Sequence, residues 1–201
     1  MIDLYVINLK ERTDRKEQIS KDFEGNTNIH LEFIEAVKHD NGAQGCFLSH
    51  KKCIQLAKEK DMEYIIVLED DCLPTNDKFE NRLNIVLEYL KTREWNIFLG
   101  CVNKTRVDNV LKKDIYKEEK FIDINFGGTA HFIIYHKSSY DFFLSLESAI
   151  IDKCWSGHIN AVTIVPFLAI QRNGFSNIEN IKVSYTLVIG RTQKRLLELF
   201  K

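Results

Sequence analysis

The stretch YIIVLEDDC, residues 64–72, sets an apolar run from Tyr64 to Leu68 directly against three acids, Glu69, Asp70 and Asp71. A short continuous apolar run of this kind reads as a buried strand. Three adjacent carboxylates at its end repel one another and resist desolvation, so they belong to an exposed strand end or to a bound cation. Side chains alternate along a strand, which places Glu69 and Asp71 on one side, able to share a ligand, and Asp70 on the other. Hard cations such as Mg²⁺ and Mn²⁺ take oxygen ligands and commonly combine one or two carboxylates with substrate phosphates. A solvated acidic turn closing at Pro74 is the competing reading.

Before this stretch, DLYVINL (3–9) reads as a buried strand, and the charged ERTDRKEQISKDF after it as a helix with Ile19 and Phe23 at i, i+4 spacing. LEFIEAV from Leu31 is a second strand, and a helix from about Gln44 to Lys60 follows the turn-like HDNG. Beyond the acids, a helix over roughly Asp77 to Thr92 carries Phe79, Leu83, Val86, Leu87 and Leu90 on one face, and WNIFLG from Trp95 is the fourth strand. Alternating strands and helices predict an α/β fold with a mostly parallel central sheet, in which ligands bind at the carboxyl ends of the strands. Glu69 to Asp71 stand at such an end. After Gly100 the rhythm breaks. A polar, basic stretch (101–120) precedes strands in FIDIN and GGTAHFIIY, a helix near Lys137 to Ile150, short strands from Val162 and a terminal helix in RTQKRLLELFK.

At 201 residues, with 44% hydrophobic and 28% charged residues and only 2 prolines, the chain predicts a single domain over residues 1–201 rather than linked modules or a disordered segment. Against 28 basic residues stand 29 acidic ones, a net charge of -1, which gives no electrostatic footprint for nucleic acid. The start is charged too soon for a signal peptide, and no later stretch approaches a membrane span, so a cytoplasmic location is expected. The 5 cysteines are odd in number and lack a CxxC pair, which predicts reduced thiols rather than a disulfide framework. Cys46 and Cys53, seven apart on one helix, lack further nearby ligands for a soft metal.

Five segments together carry a likeness: VINLKERTDRKEQI, GCFLSHKKCIQLA, YIIVLEDDC, WNIFLG with GGTAHFIIY, and IDKCW with PFLAIQRNGFSNI. In this order the chain resembles glycosyltransferase family 25, which holds lipooligosaccharide and collagen hydroxylysine galactosyltransferases. The resemblance implies a GT-A type nucleotide-binding sandwich. It also implies a metal-dependent, inverting transfer of a hexose from UDP-galactose or UDP-glucose to a saccharide or hydroxylysine-containing acceptor, with Mn²⁺ or Mg²⁺ as cofactor. By the match of LEDD to the family's DxD-like element, Asp71 is the first metal ligand, Glu69 a second ligand or ribose contact, and Asp70 a sugar contact or an acid behind the ligands.

In the same way Asn8 and Arg15, in the opening strand and turn, fall at the nucleotide edge, with Arg12 a weaker match. A guanidinium there could fork onto phosphate or belong to a mixed-charge surface helix. Ser49 could reach the donor or hold a local carbonyl. His50 lies on the helical stripe Phe47, His50, Ile54, Ala57 and is expected in the core. Gly128 and Thr129 match a glycine-containing element that lets backbone approach the ligand, and His131 beside them reads as a core or edge histidine. Asp152 matches an acidic element and is the candidate base for the acceptor hydroxyl, with a helix N-cap as its other reading. Gln171 and Ser176 fall in an element that closes the site. The terminal Leu196, Leu197, Leu199 and Phe200, beside basic residues, could pack on the domain or make a peripheral membrane contact. The rival functional reading is a catalytically silent nucleotide-sugar-binding or scaffold domain.

Overall fold

The computed structural model describes residues 1–76, 78–103, 105–176 and 181–201. Asp77, Asn177 and Ile178 and the Ser176 side chain, which figure in the readings above, lie outside the described part.

The chain begins β1 (Ile2–Asn8), α1 (Thr13–Asp22), β2 (Ile29–Glu35), α2 (Gly42–Glu59) and β3 (Tyr64–Glu69). It continues with β4 (Cys72–Pro74), α3 (Phe79–Leu90), β5 (Ile97–Leu99), β6 (Val110–Tyr116), β7 (Glu119–Ile124), β8 (Phe132–His136) and α4 (Lys137–Ser145). The last elements are β9 (Ala161–Val165), β10 (Ala169–Gln171), β11 (Gly174–Ser176), β12 (Ile181–Val183) and α5 (Thr186–Glu198).

An 8-stranded sheet in the order β2-β1-β3-β8-β5-β9-β7-β6 forms the centre. β2, β1, β3, β5, β9 and β6 run one way, and β8 and β7 run against them. The expected mostly parallel α/β sheet is therefore present, with the reversed β8 inside it. Strand alternation divides the interior in two. Tyr5, Ile7, Ile65 and Val67 face a core covered by α2, α4 and α5, whereas Leu4, Val6, Ile66 and Leu68 face one covered by α1 and α3. The five apolar residues assigned to the inner face of α3 are all buried.

The structure corrects two expectations and agrees with one of the two readings of the terminal helix. The polar stretch after Gly100 contains a strand, β6, paired with β7 at the sheet edge with a register shift between Val110 and Lys112. Helix α4 ends at Ser145 rather than near Ile150, and residues 151–158 form turns. Leu196 is buried and Leu197, Leu199 and Phe200 pack against the core, so these four do not form a free membrane-facing stripe. Among the described residues no helix is long and apolar enough to cross a membrane.

Candidate active site

The chain leaves β1 for β2 on one side and returns to β3 on the other, with α1 and α2 on opposite faces. The carboxyl ends of β1 and β3 thus flank the point where strand order reverses, the usual ligand position in open α/β sheets. A cleft of about 380 Å³ opens there. It is lined by Ile7 of β1 and Leu9 after it, by residues 36–40 after β2, by Gly45, Cys46 and Ser49 of α2, by all three acids, and by Arg15 and Gln171. A second cavity of about 300 Å³ shares Arg15, Asp70, Asp71 and Tyr185 with it and adds Arg12 and Arg172.

The three carboxylates have different surroundings. Asp70 points toward α1 and is satisfied there: Arg15 Nη1 donates to its Oδ1 at 2.7 Å and Asn8 Nδ2 to its Oδ2 at 2.9 Å. Burial still raises its pKa against the pull of Arg15 and Asn8. Glu69 points toward α2, where Cys46 Sγ donates to Oε1 at 2.9 Å and His50 Nε2 stands 3.4 Å from the same oxygen. Burial pushes the Glu69 carboxyl up, but His50, Cys46 and the nearby His131 outweigh it and leave the pKa below the usual value. Asp71 accepts from Gln171 Nε2 at 3.0 Å through Oδ2, while its buried Oδ1 has no hydrogen-bond partner among the described residues. Burial, then repulsion from Glu69, pushes its pKa up to about 7. This buried oxygen, next to a second carboxylate, fits a cation better than it fits the solvated turn considered from sequence.

Several expected contact residues are already engaged by the chain itself. Asn8 also donates to the Arg12 carbonyl, so it ties the turn after β1 to Asp70. Ser49 lines the cleft, yet its Oγ accepts from the Val37 amide at 2.8 Å and donates to the Gly45 carbonyl at 2.7 Å. Arg12 pairs with Asp14 at the rim. Thr129 is buried and donates to the Cys101 carbonyl at 2.6 Å, which makes it a backbone anchor. Gly128 leaves room for two side chains: a Cβ there would lie 2.9 Å from Asn103 Oδ1 and 3.2 Å from Asp152 Oδ2. Asp152 follows α4 in a run of turns, so it caps no helix. His50 and His131 are both fully buried, as expected of core histidines. His50 Nδ1 meets the Tyr135 hydroxyl at 2.9 Å, whereas burial lowers the His131 pKa to about 4.

Sequence reasoning misses the convergence of Cys46 and His50 on Glu69. Their i, i+4 spacing on α2 is the available signal, but the cysteine pattern draws Cys46 toward Cys53, two helical turns away. It also misses Asn103, which with Asp152 closes around Gly128.

The family model for glycosyltransferase family 25 (LPS biosynthesis protein) matches residues 1–44 and 40–154, and the chain belongs to this family. It is 30% identical over 139 residues to "Putative glycosyltransferase R655" of Acanthamoeba polyphaga mimivirus, an alignment spanning 58% of this chain and 42% of that protein. The chain thus matches less than half the length of this relative. Among solved structures, a glycosyltransferase involved in glycosylation of the major capsid of PBCV-1 aligns with a TM-score of 0.42 and 13% identity over 71% of this chain and 63% of that one. The A197 protein from STIV aligns with a TM-score of 0.46 and 14% identity over 91% of this chain and 99% of that one. The observed α/β architecture agrees with the GT-A type expected of the family, and glycosyl transfer is the family's class of activity.

Proposed function

We propose that this chain is a metal-dependent, inverting hexosyltransferase that uses UDP-galactose or UDP-glucose and a saccharide or hydroxylysine-containing acceptor. The observation that carries the reading is the orphaned Asp71 Oδ1 beside Glu69, in a cleft at the carboxyl ends of β1 and β3. Asp71, with Glu69 as the second ligand, would hold Mn²⁺ or Mg²⁺. When bound, such an ion neutralises diphosphate charge and makes UDP a better leaving group.

The chain's own groups supply the rest. Gln171 fixes one Asp71 oxygen, and the other, without a partner among the described residues, would take the ion. Asn8 and Arg15 hold Asp70 at the boundary of the two cavities, and Arg15 lines both, within reach of a phosphate or ribose. Asp152, beside Gly128 as is Asn103, is assigned as the base that takes the acceptor hydroxyl proton. Incubation with Mn²⁺ and a panel of nucleotide sugars tests the reading. Release of UDP from one donor, accelerated by an acceptor, is the expected result. UDP binding without turnover on any acceptor would favour a silent binding domain, and no binding at all would refute both.

A further inference from the structure

We infer that Cys46, His50 and Glu69 form a second metal site, selective for a thiophilic divalent ion such as Zn²⁺ and distinct from the hard-cation ligand Asp71. One ligand atom from each residue lies within 4.8 Å of the other two. Around a tetrahedral zinc, with bonds of about 2.0 Å to nitrogen or oxygen and about 2.3 Å to sulfur, neighbouring ligand atoms stand roughly 3.3–3.5 Å apart. The observed 3.4 Å from His50 Nε2 to Glu69 Oε1 already matches, and the 2.9 Å from Cys46 Sγ to Oε1 needs to open by about half an ångström.

The surroundings also suit an ion. A metal-bound histidine is normally held through its other nitrogen, and the Tyr135 hydroxyl sits 2.9 Å from His50 Nδ1. A hydroxyl can accept from Nδ1–H, which leaves the Nε2 lone pair for a metal, or donate to Nδ1 in the metal-free network. Cys46 and Glu69 line the cleft while His50 lies behind them, so an ion has an entry path and a fourth position open to the cleft. A thiolate with one imidazole selects Zn²⁺ over Mg²⁺ or Mn²⁺, whereas Asp71 offers oxygen alone. Glu69 belongs to both sets, and an ion binding to Cys46 displaces the thiol proton now shared with it.

Cobalt(II) provides the test, because a cysteine thiolate bound to it gives an intense near-ultraviolet charge-transfer band. Titration of the metal-free full chain is expected to develop this band to one cobalt per chain, with proton release, and equimolar Zn²⁺ should erase it. Cys46→Ser keeps a hydroxyl for Glu69 and should abolish the band, and His50→Ala should weaken cobalt binding roughly 10-fold or more. Asp71→Asn should retain the band while losing Mn²⁺-supported UDP binding, so this site and the donor reading can fail separately. A band that persists in Cys46→Ser, or its absence from the parent chain, would overturn the inference. Loss of the band in Asp71→Asn would overturn the distinction between the two sites. If His50→Ala does not fold, zinc affinity of Cys46→Ser decides alone, and an unchanged affinity counts against the site.

Discussion

The two ends of the central sheet treat buried charge in opposite ways. At the β7 end, Arg82 is 6% exposed and makes a two-pronged contact with Glu119, from Nε at 2.7 Å and Nη2 at 2.9 Å, while also donating to the Phe167 and Pro166 carbonyls. Arg93 grips Asp123 in the same forked manner. At the β1–β3 end, three carboxylates crowd together and Asp71 keeps an oxygen without a partner among the described residues. Charges completed by the chain itself are architecture; charges left incomplete wait for something else. Damage to the completed end is the severest trial of this contrast. Arg82→Ala leaves Glu119 and the Pro166 carbonyl without their donor, while Thr75 still serves the Phe167 carbonyl, and is expected to cost about 3–5 kcal/mol, read as a lower denaturant midpoint. A loss below about 1 kcal/mol would show that the far end is no more committed to stability than the cleft.

The second effect belongs to the incomplete end. Asp71→Asn should weaken Mn²⁺-supported UDP binding by roughly 100-fold or more in calorimetric titration, while the fold survives. Glu69→Gln should weaken it less. An unaltered Mn²⁺-dependent affinity in Asp71→Asn would move the hard-ion site elsewhere.

Stability against pH sets the two ends apart in another way. Asp71 titrates near 3.8 when unperturbed and is pushed up to about 7 in the folded chain, so between these values the native state holds a proton that the unfolded state has lost. Asp71 therefore contributes a loss of stability as pH rises from about 4 to about 7, opposed by His131, whose depressed pKa of about 4 contributes a gain between about 4 and 6.5. The loss is on the order of 2 kcal/mol after allowance for the carboxylate's contact with the cleft. Asp71→Asn should remove the Asp71 contribution, so that the variant gains stability with rising pH relative to the parent chain, as should saturating Mn²⁺. A slope unchanged in the variant would assign the pH dependence to other groups.

How far these features can be read from sequence depends on whether they are local. The strand Tyr64 to Leu68, the buried face of α3 and the core place of His50 follow from periodicity, and each is legible. β6 is not, because Val110 to Tyr116 is an edge strand whose Lys112, Lys113 and Asp114 break any simple alternation. The separate fates of the three acids are half legible. Alternation predicts that Glu69 and Asp70 diverge, but only the tertiary structure brings Cys46 to one and Arg15 to the other. Asp152 reads equally as a helix cap because composition does not distinguish a helix from the succession of turns that follows α4.

A subtler effect is expected at Gly128, where the donor cleft and the acceptor side can be told apart. Its added Cβ would press on the ends of two side chains, Asn103 Oδ1 at 2.9 Å and Asp152 Oδ2 at 3.2 Å, rather than on backbone. Side-chain ends can yield, so Gly128→Ala should cost less than about 1 kcal/mol of stability. The carboxylate that must yield is the one assigned to take the acceptor proton. A shift of a few tenths of an ångström there should lower turnover several-fold while leaving UDP affinity untouched. If Gly128 instead brings its backbone against the donor, UDP affinity falls together with turnover. Parallel measurement of UDP binding and acceptor-dependent UDP release separates these outcomes. Equal loss of both would return Gly128 to the nucleotide and remove the support it gives to Asp152 as the base.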